Sequence, residues 1–226
     1  MTHDFDTAAE SLAQLLKDRG NDDARSHLNA LRWSLRDAPT VGLDFARAAS
    51  ERMRQGRHLD DDPVRDAILN ARLTEECFEQ SRFALESTIR YLHAAGDLLA
   101  QLVNAVLPLG LVEGECDLSR ALARLQSEAA HSHLRSALQT LPASPQFAYV
   151  RDATNRMKHR NLMGASIGAR VNDEGGVDVR QRLAAFEHDS RSHDEVAPKD
   201  IAAAAASLQR ATANVLHELV GLLTAR

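Results

Sequence analysis

Apolar residues recur every three or four positions over most of this chain, and that period predicts helices. Residues 5–19 and 22–37 read as two short amphipathic helices. Ala24, Leu28, Leu31 and Leu35 mark the second, Asn21-Asp22-Asp23 supplies a cap, and Pro39 is expected to break it. Leu43, Ala46, Ala49 and Met53 mark a third helix, which Gln55-Gly56-Arg57-His58 ends. Asp60-Asp61-Asp62-Pro63 then opens the next, with acids near its positive end. From Pro63 to Val106 the pattern is almost unbroken. Phe78, Leu85, Ile89, Leu92, Gly96, Leu99, Val103 and Val106 alternate by three and four, the seam of a long antiparallel bundle in which Gly96 marks either a close helix contact or a kink.

Leu107 to Gly114 reads as a loop. Asp117 caps a helix carrying Leu118, Leu122 and Leu125, expected to continue through Leu134 and Leu138 to Leu141-Pro142. Ser144-Pro145, a cap followed by a proline, opens a helix over 146–160. The period then changes from near 3.6 to 2. Ala165, Ile167, Ala169 and Val171, the turn Asn172-Asp-Glu-Gly-Gly176, and then Val177 and Val179 predict one β-hairpin at about 163–187. Residues 187–198 read as a polar loop. A last helix runs from about Lys199, with Ile201, Ala205, Leu208, Val215, Leu219 and Leu222 on one face. The expected fold is mainly α: an antiparallel helical bundle over 59–226 with one small β-hairpin, preceded by an N-terminal helical appendage over 1–58.

Composition supports helix-on-helix packing. Hydrophobic residues make up 44% of the 226 positions but aromatics only 4%. The net charge of −5 argues against a protein that coats nucleic acid indiscriminately. The charge is uneven, with ten acids against four Lys/Arg over 61–116 and twelve against fourteen over 117–226. Any anion site is therefore expected to be local and in the second half. The two cysteines, Cys77 and Cys116, make neither a disulfide framework nor a four-ligand zinc site. No signal peptide and no apolar run long enough for a membrane span is visible, so a cytoplasmic protein without membrane contact is expected.

The densest chemistry lies in Asp152-Ala-Thr-Asn155-Arg-Met-Lys158-His159-Arg160. At ~100° per residue, Arg151, Asp152, Asn155, Lys158 and His159 share one side of a helix. Phe147, Val150, Ala153 and Met157 share the other, which would meet a core. As a catalytic face, His159 would act as general base on a ribose 2′-hydroxyl. Lys158, Arg151 or Arg156 would offset charge developing on phosphorus. Asn155, four residues before His159, could bond its imidazole or a phosphate oxygen. As a merely structural face, Asp152 and Arg156 would form an i, i+4 ion pair worth about 0.3–0.5 kcal/mol. Lys158, His159 and Arg160 would then complement the helix dipole. On the long helix, His93 and Asp97, with Glu86 upstream, either support that face or form a satisfied polar pair in a bundle groove. His131-Ser-His133 and the group His188, Asp189, His193, Asp194 lack the convergent spacing a metal needs, so no metal or cofactor is expected.

The long helix with Tyr91-Leu-His93-Ala-Ala-Gly-Asp97, followed by Phe147-Ala-Tyr-Val-Arg-Asp152-Ala-Thr-Asn155-Arg-Met-Lys158-His159-Arg160, resembles the HEPN-like superfamily. The likeness covers roughly 63–226. It implies a four- or five-helix bundle, often dimeric, and relatives that include metal-independent ribonucleases of toxin–antitoxin or phage-defence systems. His159 matches the histidine of the family's arginine, four-to-six-residue, histidine motif. Arg151 stands seven intervening residues away and Arg156 two. The first expectation is therefore a protein binding RNA, a nucleotide or a partner. Of these residues the resemblance carries over only His159; read from the residues themselves, the candidate catalytic set is His159, Arg156, Lys158 and Asn155, and the candidate phosphate or ligand contacts are Arg151, Asp152 and Arg160. A metal-independent endoribonuclease with an antitoxin-like partner is the alternative, and a non-catalytic homodimeric scaffold the second alternative.

Overall fold

The computed structural model describes residues 3–55, 63–126, 129–160, 163–171 and 177–225. Gly56-Arg57-His58, Asp60-Asp61-Asp62, the boundary near residue 58, the turn Asn172–Gly176 and the side chain of Arg160 lie outside that description. The structure is mainly helical: α1 (His3–Asp18), α2 (Asp22–Arg32), α3 (Ala38–Gln55), α4 (Pro63–Val106), α5 (Leu118–Gln126), α6 (Ser132–Ala143), α7 (Pro145–Arg160) and α8 (Pro198–Thr224). Among the described residues, four short strands form two antiparallel hairpins, β1 (Ala165–Val171) with β2 (Val177–Leu183), and β3 (Phe186–His188) with β4 (Arg191–His193).

The chain divides into two compact units, residues 1–39, 90–151 and 203–226 in one, and 40–89 and 152–202 in the other. In the first, Phe5, Leu12, Leu16, Leu28, Leu31, Leu35, Leu92, Leu99 and Leu102 are fully buried. The connection from α1 to α2 follows from its residues. Gly20 takes φ +65°, its N–H donates to Lys17 O, and Asn21 N–H donates to Leu16 O, which closes α1. Asn21 then caps α2 by accepting from Ala24 N at 3.0 Å, and its amide donates to Ala105 O at 3.2 Å. Asp117 caps α5 through Arg120 N at 2.8 Å, and Ser144 caps α7 through Phe147 N at 3.1 Å. At Gly96 a Cβ would come within 2.8 Å of the Phe147 ring, so this glycine marks a close approach of helices.

In the second unit, α3 lies against α4. Gly42 leaves room for Thr88, whose Oγ1 would sit 2.1 Å from an added Cβ. β1 and β2 pair from Ala165 opposite Leu183 to Val171 opposite Val177, and Leu183 is further bridged to Val196 at 2.9 and 3.1 Å.

Three sequence expectations need correction. Pro39 does not break a helix. A π-helical turn over Trp33–Asp37, closed by Ala38 N–H to Trp33 O, widens the spiral just before the proline, where its ring would otherwise meet a carbonyl one turn back. The helix opened by Asp117 does not continue through Leu138. Leu125 and Leu134 are nine residues apart, about 180° around a continuous helix, so one rod could not bury both. Ending α5 at Gln126 and starting α6 at Ser132 resets the phase, and both leucines are buried. Residues 187–198 are not all loop, because they contain most of a second hairpin. Asp189 and Ser190, with φ of 46° and 63°, form its two-residue turn.

Candidate functional site

The motif helix α7 and the β3–β4 hairpin build a polar corner in the second unit. Strand alternation places Arg191 and His193 on one face of β4. Their partner is Asp152, whose side chain is only 3% exposed. Its Oδ2 stands 3.0 Å from His193 Nε2 and 3.3 Å from Arg191 Nη1. A buried carboxylate held by two donors satisfies its own charge and orients both partners. Phe186, opposite His193 across the hairpin, stacks on the imidazole at 4.6 Å and is itself buried. On the ring sits the guanidinium of Arg156 at 5.6 Å, and Arg156 Nη1 also donates to Glu187 O at 3.4 Å. Asp152, His193, Phe186 and Arg156 therefore connect the helix to the hairpin through polar and stacking contacts.

Beside them opens a groove of about 640 Å³, lined by Arg156, Phe186, Glu187, His188, Ser190 and Ser192 among others. Its wall alternates cation, hydroxyl and carboxylate. His188 Nε2 lies 3.5 Å from Asp189 Oδ2 at the hairpin tip. Arg191 is 55% exposed, so its guanidinium remains accessible although Asp152 fixes one nitrogen.

The other sequence candidates are distributed as follows. Lys158 and His159 are exposed at the C-terminal end of α7, and Asn155 is half-buried. Asp152 lies on the same helix but is buried. The helical wheel grouped it with exposed residues because a wheel cannot show what arrives from elsewhere in the chain. Glu86 is buried in the second unit and accepts from Met163 N at 2.8 Å, tying α4 to the start of the β1–β2 segment. His93, Asp97 and Arg151 belong to the first unit. There His93 lies 6.2 Å from the Phe147 ring with an interplanar angle of 15°. Asp97 is exposed, and it contributes to an upward push on the Cys116 thiol that comes first from burial, then from Asp117 and then from Asp97.

Phe186, Arg191 and His193 were not singled out in the sequence for this site. Their only local signal is polar–apolar alternation across two three-residue strands, too short to separate from a loop. Among the described residues, no group of three or more His, Cys, Asp and Glu could hold a metal ion, and no helix is long and apolar enough to cross a membrane. No family model matches the chain, and neither the curated proteins nor the solved structures compared with it give a match.

Proposed function

We propose that the protein is a binding module for RNA or a nucleotide, and that the groove beside α7 and the β3–β4 hairpin receives its phosphates and an unstacked base. The supporting observation is the stack of Arg156 on Phe186 at the groove wall. A guanidinium held over an aromatic ring and donating to the Glu187 carbonyl is restrained in orientation. It can offer one face to a nucleobase and its N–H edge to phosphate. Ser190 and Ser192 add hydroxyl donors to the groove, and Arg191, held by Asp152, is an oriented, exposed cation elsewhere on the same hairpin. The mixed lining, with Glu187 and Asp189 among the cations, suits a short oligonucleotide better than long duplex coating. The resemblance to HEPN-like proteins is part of this proposal, since it falls on the same helix.

Catalysis by His159 is the competing outcome. The histidine is exposed at the end of α7, whereas the oriented imidazole of the corner is that of His193. Fluorescence anisotropy with a 5′-labelled oligoribonucleotide in EDTA tests the reading. Saturable binding is expected that falls by at least tenfold between about 50 and 200 mM salt. Arg156→Ala should weaken it by about tenfold, the loss of one charge-assisted contact. No saturable binding, or binding unchanged in Arg156→Ala, overturns the proposal. The same samples run on a gel separate the alternatives. Intact RNA fits a binding module, and cleavage abolished by His159→Ala would make the protein a metal-independent ribonuclease.

A further inference from the structure

The N-terminal helical hairpin carries a second groove, independent of the one assigned to RNA. α1 presents Glu10, Gln14 and Lys17 at i, i+4 and i+7, and α2 presents Arg25, Asn29 and Arg32 at the same spacing. Both stripes therefore run along single helix faces. They line one cavity of about 330 Å³ within the first unit. That size is at the lower end for small-molecule sites.

The lining holds three cations and one carboxylate. Arg25 already shares Asp22 at 2.7 Å, and Gln14 donates to Asp18 at 2.7 Å. Arg32 differs: it forms no ion pair among the described residues, and its half-buried guanidinium has its Nε turned away from solvent, which leaves the terminal nitrogens to face the groove. Lys17 stands exposed on the facing helix and takes part in none of the observed ion pairs among the described residues.

We infer that the α1–α2 groove is a binding site for a small phosphomonoester dianion, held by Arg32 and Lys17, with Asn29 as a neutral donor and Arg25 at the edge. The charge sets the class. Two cations not committed to an acid match a dianion, and a guanidinium offers paired N–H groups to two phosphate oxygens. Glu10 opposes the ligand and sets an upper limit on affinity. Its removal should therefore strengthen binding.

The test uses the full chain and inorganic phosphate, titrated against chloride at constant ionic strength and followed by amide chemical shifts. Saturable shifts should cluster on residues 13–17 and 29–33. Arg32→Gln should weaken binding by about tenfold, Lys17→Ala by about threefold, and Glu10→Gln should tighten it by about threefold. Lys17→Ala and Glu10→Gln alter exposed side chains, so they decide the matter even if Arg32→Gln disturbs folding. No saturable shift up to tens of millimolar phosphate, shifts located elsewhere, or affinities unchanged in Lys17→Ala and Glu10→Gln overturn the site. Sedimentation with phosphatidate vesicles, if phosphate competes it away, would place the same phosphomonoester on a lipid headgroup. Sedimentation that phosphate leaves unchanged would count against the groove.

Discussion

The two grooves hold similar cations under opposite electrostatic arrangements. At the α7–hairpin corner, Asp152 binds Arg191 and His193, and Arg156 is fixed by Phe186 and the Glu187 carbonyl. In the α1–α2 groove, no carboxylate among the described residues braces Arg32, and helical spacing alone places Lys17. Bracing fixes geometry but consumes charge, because each ion pair cancels part of the field that would attract an anion. The corner should therefore be the more exacting in shape and the more dependent on its own fold. The α1–α2 groove should be less selective in shape and more sensitive to single charges.

The largest expected effect breaks the brace. Asp152→Ala removes the acceptor shared by Arg191 and His193. Breaking a fully buried pair costs about 3–5 kcal/mol, and the exposure of Arg191 lowers the expectation here to about 2–3 kcal/mol. Urea denaturation should show the lower midpoint, and amides of residues 186–193 should exchange hydrogen faster than in the wild type. Unchanged stability and unchanged exchange would show that the hairpin stands without its carboxylate. Arg32→Gln in the other unit should leave the unfolding free energy within about 0.5 kcal/mol or raise it, since it removes an unmet buried donor instead of a satisfied one.

Steric placement gives the next effect. Gly96→Ala would put a methyl group 2.8 Å from the Phe147 ring, and forcing that contact apart should cost about 1–3 kcal/mol. A midpoint equal to the wild type's would mean that Phe147 turns aside freely. Smaller again is Phe186→Leu, which keeps an apolar side chain under Arg156 but removes the stacking on His193. About 1 kcal/mol should be lost, together with part of the oligoribonucleotide affinity. If affinity survives while stability falls, the ring serves the hairpin and not the ligand.

Helices were the legible part of this sequence because their signals are local. The seam from Leu85 to Val106 announced α4, and the caps at Asn21, Asp117 and Ser144 are formed by those side chains. The π turn before Pro39 was not legible, since a proline in the first turn of a helix and one that ends a helix leave the same local pattern. The second hairpin was hidden by its turn. Asp189-Ser190 takes the left-handed conformation at both positions without the glycine that usually announces it. The same hairpin brings His193 to Asp152 across 41 residues, and no helical periodicity encodes that contact. The density of polar residues drew attention to α7, but the partners of its buried carboxylate come from a segment that reads as solvated loop.

Cys116 supplies the smallest effect and a check from outside both grooves. Burial raises its thiol above the ordinary range, with Asp117 and Asp97 adding to the rise. The folded chain therefore keeps this proton to higher pH than the unfolded chain does. Below the ordinary thiol range, at about pH 8.5, both states are protonated and the thiol adds no pH dependence. Above it, the unfolded state loses its proton first, so stability falls with rising pH until the folded thiol titrates as well. Cys116→Ala should remove that alkaline slope without changing the unfolding free energy at pH 7 by more than about 1 kcal/mol. Alkylation of Cys116 at pH 8 should be slower than in the denatured chain. A rate equal to the denatured chain's would mean that α5 and the segment before it open readily, and the first unit would then be the less rigid host for its groove.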